Sequence, residues 1–303
     1  MTTAPIALFV YNRPWHTQQT IEALLKNAEA KDSDLIIYSD AAKDDTGQQA
    51  VDDVRALIKE IEGFRSIRIV EQKNNMGLAN SIISGVTEIV NRYGKVIVLE
   101  DDLETSPCFL GYMNAALERY KDDEQVMQIS GHMFPVELDT HHDMLFLPFT
   151  TTWGWATWKR AWQHFDGQAI GYQALKNDKM LRKKFDLDNS FQYFSMLEKQ
   201  LSDEIDSWGI RWYLGVFMQK GLVLYPSHTL VVNMGMDGSG VHCGKGSFLD
   251  GEAIIDGFVP MAYPEKIKVN QICYVKIKNF LLKQASLGRI ARIKSFLRRY
   301  FKV

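Results

Sequence analysis

Four short apolar runs, at 6–10, 35–38, 66–70 and 96–99, alternate with stretches of helical periodicity at 17–27, 51–61 and 78–90. Runs this short and this rich in β-branched residues read as buried strands. Strands separated by helices at this spacing imply a mainly parallel sheet covered on both faces. In such sheets ligands bind beyond the carboxyl ends of the strands. Three carboxylates, Glu100-Asp101-Asp102, follow the fourth run directly. Arg13 follows the first run, in the turn Asn12-Arg13-Pro14, and Asp40 follows the second. Helix and strand patterns continue at 109–120, 126–130 and 222–225, so the 303 residues suffice for one large α/β domain with a substantial core.

Three adjacent acids repel one another unless positive charge neutralises them. An isolated run of this kind is ordinarily a solvated turn. At the exit of a buried parallel strand it suits a hard divalent cation, which takes oxygen ligands from one or two carboxylates together with substrate phosphates. Arg13 offers a fork of donors matched to phosphate oxygens. On their own, Arg13 and Asp40 are equally compatible with turn or capping roles.

The second half carries other candidates. Residues 149–162 hold four of the seven tryptophans, Trp153, Trp155, Trp158 and Trp162. Trp158 and Trp162 are expected in the core, and Trp153 or Trp155 is a candidate to line a site. Asp203, Glu204 and Asp206 precede Trp208 after a charged helical region at 175–201. A glycine-rich loop at 233–246 contains His242, which could ligate a metal or simply be a bonded loop histidine, and Lys245, which could meet phosphate. The pair His141-His142 reads as an exposed loop.

The arrangement resembles the GT-A class of nucleotide-sugar glycosyltransferases, whose acidic motif follows the fourth strand. The Glu-Asp-Asp form is similar to that of the N-acetylglucosaminyltransferase I-like enzymes. Asn75-Met-Gly-Leu-Ala79 resembles the Asn-x-Gly-Leu-Ala element of family 2 glycosyltransferases. Tyr11-Asn-Arg-Pro14, Glu100-Asp-Asp102, Trp153-Gly-Trp-Ala-Thr-Trp158 and Gly238-Ser-Gly-Val-His-Cys243 extend the resemblance to bacterial family 2-like transferases over roughly 5–250.

The resemblance implies a GT-A (Rossmann-like) α/β/α sandwich spanning 1–263. Its nucleotide-sugar half would be 1–105 and its acceptor half 106–263. It implies Mn2+ or Mg2+ held by Asp102, with His242 as a further candidate ligand. Arg13, Asp40, Asn75, Glu100, Asp101 and Lys245 would meet the donor, a nucleoside-diphosphate sugar with uridine as the expected nucleoside. Trp153 and Trp155 would lie by a saccharide or lipid-linked saccharide acceptor. Transfer with inversion needs a general base. A carboxylate just before a tryptophan plays that part in the resembling family. Asp206 matches best, although Ser207 intervenes before Trp208, and Glu204 and Asp203 stay open.

Charge is divided sharply along the chain. Of 35 Lys/Arg, eleven lie after residue 265, where there is no Asp or Glu; residues 1–265 hold the other 24 and all 37 acids. Ile290, Ile293, Leu297 and Tyr300 form an apolar stripe among basic residues. A tail at 264–303 therefore reads as an amphipathic helix for an anionic membrane surface. No nucleic-acid motif accompanies it. Three cysteines without metal spacing, no signal-like start and no apolar span point to a cytoplasmic protein, peripheral on the inner face of the membrane. A surface polysaccharide or glycolipid product would fit that placement. Two other readings are an inactive nucleotide-sugar-fold scaffold at the membrane and a sugar nucleotidyltransferase. The first turn lacks the glycine-rich loop of the latter, and the acidic triad counts against the former.

Overall fold

The computed structural model describes residues 3–138, 142–235 and 253–301, with side chains in the last helix to 286. Its first half follows the alternating pattern: β1 (Ile6–Val10), α1 (Pro14–Leu25), β2 (Asp34–Ser39), α2 (Gln48–Lys59), β3 (Ser66–Glu71), α3 (Leu78–Tyr93) and β4 (Lys95–Glu100). These four strands pair in parallel in the order β3-β2-β1-β4. Period-2 alternation divides them between two cores. Ile6, Leu8, Leu35, Ile37, Ile97 and Leu99 face one side with Ile21 and Leu24 of α1 and Val54 and Ile58 of α2. Ala7, Phe9, Ile36, Tyr38, Val96 and Val98 face the other with Ile82, Val86 and Ile89 of α3. A sheet with apolar residues on both faces must be covered on both, and the sequence supplies a helix after each of β1, β2 and β3 to do so.

After β4 come β5 (Leu103–Thr105), α4 (Phe109–Arg119), β6 (Val126–Ser130), β7 (Met144–Leu147), β8 (Trp155–Trp158) and α5 (Lys159–Trp162). Three helices follow, α6 (Tyr172–Asn177), α7 (Lys179–Phe185) and α8 (Tyr193–Leu201). They precede α9 (Trp208–Met218), β9 (Leu222–Pro226), β10 (Val231–Asn233) and α10 (Gln271–Phe301). The sheet continues past β4 as β8-β6-β9-β7. Strands β7 and β8 run against the other six, so it is mainly parallel, as the GT-A expectation requires. β10 pairs antiparallel with β5 to form a separate two-stranded ribbon.

Three local readings change. The expected continuous helical region at 175–201 breaks at Leu187, Asp188 and Asn189, three successive residues with φ between 49° and 68°. That left-handed run cannot continue a helix. The tryptophan segment contains a strand, β8, inserted beside β4. The C-terminal basic segment is not a separate tail from 264: Cys273, Ile277 and Leu281 of α10 are buried in a third core with Leu145, Leu147, Phe149 and Tyr225. Lys276 donates to the Glu137 carbonyl and Lys278 pairs with Asp188 at 2.6 Å, so part of the basic excess is used within the body. Among the described residues, no helix is long and apolar enough to cross a membrane.

Candidate active site

Strands β1, β2 and β4 end together, and each delivers one polar element to the same edge. The turn after β4 is held from the side by α1. Thr20 donates its hydroxyl to the Asp101 carbonyl at 2.9 Å and accepts from the Leu103 amide at 3.1 Å. Thr20 was not expected to matter. Its signal was a buried hydroxyl on the apolar face of α1, beside Ile21 and Leu24.

Arg13 reaches the acids from the first turn. Its Nη2 donates to Asp101 Oδ1 and, at 2.9 Å, to Asp102 Oδ2. The side chains of Arg13, Asp101 and Asp102 are 17%, 6% and 10% exposed, so the contact is largely shielded from water. Burial disfavours the Arg13 charge, yet Asp101 and Asp102 hold its pKa above the ordinary value. Burial raises the Asp101 pKa against the opposing pull of Arg13. Burial, then Asp102 and Asp101, push the Glu100 carboxyl up to about 8. Burial is the larger cause, and the two neighbouring carboxylates add to it against the opposing charge of Arg13.

Asp40 is also at the edge, but its carboxylate is engaged inside the protein. Oδ1 accepts from the Ala41 and Met76 amides at 2.9 and 2.8 Å; Oδ2 accepts from the Gly77 amide at 2.9 Å and Asn75 Nδ2 at 3.3 Å. Asn75 Nδ2 also donates to the Ala41 carbonyl at 2.7 Å. Four accepted bonds fill the lone-pair capacity of one carboxylate. The structure thus gives Asp40 and Asn75 the work of clamping the loop before α3, with no acceptor position of Asp40 left over for a base edge.

That clamp fixes Gly77, whose φ of +74° suits glycine. A Cβ built there would lie 4.0 Å from Asp206 Oδ2, so Asp206 approaches the donor edge from the opposite half of the molecule. Asp206 is 58% exposed and lies 3.5 Å from Arg211 Nη2. Ser207 caps α9 by accepting from the Ile210 amide, which fixes where Asp206 emerges. Glu204 is exposed and accepts from Ser202 Oγ at 2.8 Å; Asp203 occupies a left-handed turn position, φ 57°. The geometry brings Asp206 toward the edge and leaves Glu204 bonded within its own turn.

The tryptophans divide differently from expectation. Trp155 is 1% exposed and stacks on Trp208, with centroids 5.3 Å apart and planes at 24°. Trp162 and Trp212 complete the cluster. Trp155 is therefore a core residue and not an acceptor contact, because its strand faces α3 and α9. Trp158 and Trp162 are buried, as expected. Trp153 is half-buried and meets the edge of His132 at 4.8 Å, leaving it the tryptophan available to a ligand in this segment. His242, Lys245 and His141 lie outside the described residues.

The β5–β10 ribbon brings one further element. Met234 donates its amide to the Asp102 carbonyl at 2.8 Å, and Gly235 donates to Asn233 Oδ1 at 2.8 Å. A Cβ on Gly235 would fall on Asp102 Oδ2 and within 2.8 Å of Arg13 Nη1. A side chain at 235 would therefore have to push the Asp102 carboxylate and the Arg13 guanidinium aside.

Among the described residues, no group of three or more His, Cys, Asp or Glu side chains is arranged to hold a metal alone. The acidic turn still suits a divalent cation that arrives with phosphates. Among the described residues, Asp101 Oδ2 and Arg13 Nη1 are buried without a hydrogen-bond partner. Mg2+-type sites typically combine one or two carboxylates with substrate phosphate oxygens.

No curated protein matches the chain. Among solved structures, the mannosyltransferase PcManGT from Pyrobaculum calidifontis, in complex with GDP-Man and Mn2+, is similar at a TM-score of 0.39 and 14% identity. That alignment covers 58% of this chain and 52% of the other, so this chain spans about half the length of that protein. The model of glycosyl transferase family 2 matches residues 6–189, which include Arg13, Asp40, Asn75 and the whole acidic turn. With more than half of its length matched, the chain belongs to glycosyl transferase family 2.

Proposed function

We propose that this protein is a divalent-metal-dependent glycosyltransferase that moves a sugar from a nucleoside diphosphate to an acceptor hydroxyl, with inversion. The observation that carries this reading is the buried acidic turn. It is paired with Arg13 at the carboxyl edge of a parallel sheet and approached from the far side by Asp206. In this reading Asp102 holds the cation and Arg13 meets the diphosphate. Glu100 and Asp101 flank the nucleoside, and Asp40 and Asn75 keep the loop before α3 in place. Bound there, a divalent cation would offset the negative charge that grows on the departing diphosphate.

Asp206 removes the proton from the acceptor hydroxyl as its oxygen attacks the anomeric carbon. The bond from that carbon to the phosphate oxygen breaks, and the nucleoside diphosphate leaves with the electron pair. Trp153 is the aromatic surface we assign to the acceptor. The similarity of the Glu-Asp-Asp form to the N-acetylglucosaminyltransferase I-like enzymes supports a uridine diphosphate sugar as donor.

A thermal-shift panel of nucleotide sugars with and without Mn2+ tests the reading. A ligand at 100 times its Kd stabilises the folded state by about 2.7 kcal/mol. We expect one nucleoside class to raise Tm only when Mn2+ is present, and that donor to be turned over with an added saccharide acceptor. A panel in which no nucleotide sugar moves Tm with either Mn2+ or Mg2+ would sink it.

We further propose that the acceptor is a lipid-linked saccharide reached at the inner, anionic face of the membrane, in surface polysaccharide or glycolipid synthesis. Six Lys/Arg and no acidic residue lie between 287 and 303. The helical backbone continues to Phe301, beyond the turns of α10 buried in the body. A test must keep those turns, so the chain is truncated after 286. Full-length chain is expected to float with anionic liposomes and 1–286 to stay behind; equal flotation refutes the membrane role.

A further inference from the structure

The ion pairs of Arg13 raise a question of competition. Its Nη2 sits on Asp102 Oδ2, the carboxylate oxygen that also faces the backbone of Gly235. The same nitrogen holds Asp101 Oδ1. The guanidinium thus supplies the positive charge that the acidic turn needs, without any metal. Meanwhile its Nη1 is buried with no hydrogen-bond partner among the described residues, an uncommon and costly state for a charged donor. The backbone of Arg13 cannot drift away with its side chain. Its carbonyl accepts from the Thr17 amide at 3.0 Å, and Pro14 fixes the first residue of α1.

We propose that Arg13 is a resident counter-cation that competes with the divalent ion for Asp102, so that the ion binds well only together with a nucleoside diphosphate. This rests on the metal-dependent reading of the site and adds an order of binding to it. A bare divalent ion approaching Asp102 meets a guanidinium already in contact with the carboxylate. It must either displace that charge into a dry environment or bind beside it against like-charge repulsion. A diphosphate changes both terms. Its oxygens give Nη1 the acceptor it lacks and draw the guanidinium off Asp102. They also provide the remaining oxygen ligands that a single carboxylate cannot. Cation and diphosphate therefore raise each other's affinity, and by linkage they do so by the same factor. Arg13 acts here as a positioning residue, through the availability of Asp102.

The useful consequence is kinetic as well as energetic. A site that holds little metal between turnovers does not trap acidic or phosphorylated bystanders on a preloaded cation. Specificity for a diphosphate then arises from the requirement that both positive partners be satisfied at once.

The test is a titration of full-length protein with Mn2+, read by the electron paramagnetic resonance signal of free aqueous Mn2+. It is run alone and with saturating uridine or guanosine diphosphate. Wild type should bind Mn2+ alone weakly and at least tenfold more tightly with the effective diphosphate. Arg13→Gln removes the charge and retains a polar side chain. It should bind Mn2+ alone at least tenfold more tightly than wild type, yet bind Mn2+ with the diphosphate less tightly. That reversal of sign is a result that general damage to the site would not give, since damage weakens both. Arg13→Lys, which keeps the charge, should remain weak for Mn2+ alone. Should Arg13→Gln not fold, the wild-type pair of titrations still decides, because equal Mn2+ affinity with and without either diphosphate overturns the proposal. Arg13→Gln binding Mn2+ alone no better than wild type also overturns it, while leaving the metal-dependent reading in place. Mn2+ binding in no sample, with or without diphosphate, removes the metal-dependent reading and this inference together.

Discussion

Asp102→Ala should abolish the Mn2+-dependent component of donor binding and leave a folded protein. Among the described residues the side chain makes one ion pair, to Arg13, and Arg13 keeps Asp101 as a partner after the change. The backbone bonds that shape the turn remain: Thr20 still holds the Asp101 carbonyl and Met234 the Asp102 carbonyl. Relief of like-charge repulsion among the three acids offsets the lost ion pair, so Tm without ligand should change little. The functional cost is larger. Cation assistance to the leaving group is worth several kcal/mol, and each 1.36 kcal/mol is tenfold in rate. Turnover should therefore fall about a thousandfold. The stabilisation by donor with Mn2+ should drop to the value seen without metal. A variant that kept a metal-dependent thermal shift would remove Asp102 from the cation's coordination.

Asp206→Asn should give the opposite pattern, with donor binding intact and transfer lost. General-base catalysis contributes about 10²- to 10⁴-fold, and asparagine preserves the shape of the side chain without its basicity. Asp206 is solvent-exposed and touches the body through Arg211 alone among the described ion pairs, so stability should hardly move. Donor affinity should stay within about twofold, since Asp206 approaches the edge near Gly77 without joining the Asp40 clamp. Glu204→Gln is the comparison. A larger loss of turnover there than in Asp206→Asn would transfer the role to Glu204.

The donor edge was legible in the sequence because topology does the work. In a parallel sheet, whatever follows each strand is delivered to one end, so Arg13, Asp40 and the acidic turn were bound to meet once the strands were recognised. Their division of labour was not legible. Asp40 could be placed at the edge, but its bonds to the Met76 and Gly77 amides depend on how a loop folds back, and loop geometry leaves no periodic trace. Strands β7 and β8 were missed for a related reason. Each is four residues long and fully buried, which is too short to show a period. The tail was misjudged in extent because Cys273, Ile277 and Leu281 are apolar positions set among lysines, and charge dominated the reading. Asp206 sits outside the family-matched region at 6–189, and its reading rested on one local resemblance, a carboxylate shortly before a tryptophan, which left Asp203 and Glu204 open.

The tryptophan cluster has a consequence for observing the protein at work. Four of the seven indoles, Trp155, Trp162, Trp208 and Trp212, form one contiguous cluster, and Trp208 is two residues beyond Asp206. Indole rings this close couple their electronic transitions, so near-ultraviolet circular dichroism reports their mutual orientation. That signal depends on fixed tertiary packing. The first turn of α9 carries Trp208 and its cap sets the emergence of Asp206, so a shift of that turn would move the proposed base and one ring of the cluster together. The protein thus contains its own chromophore for the position of the proposed base, and it can be read without a label.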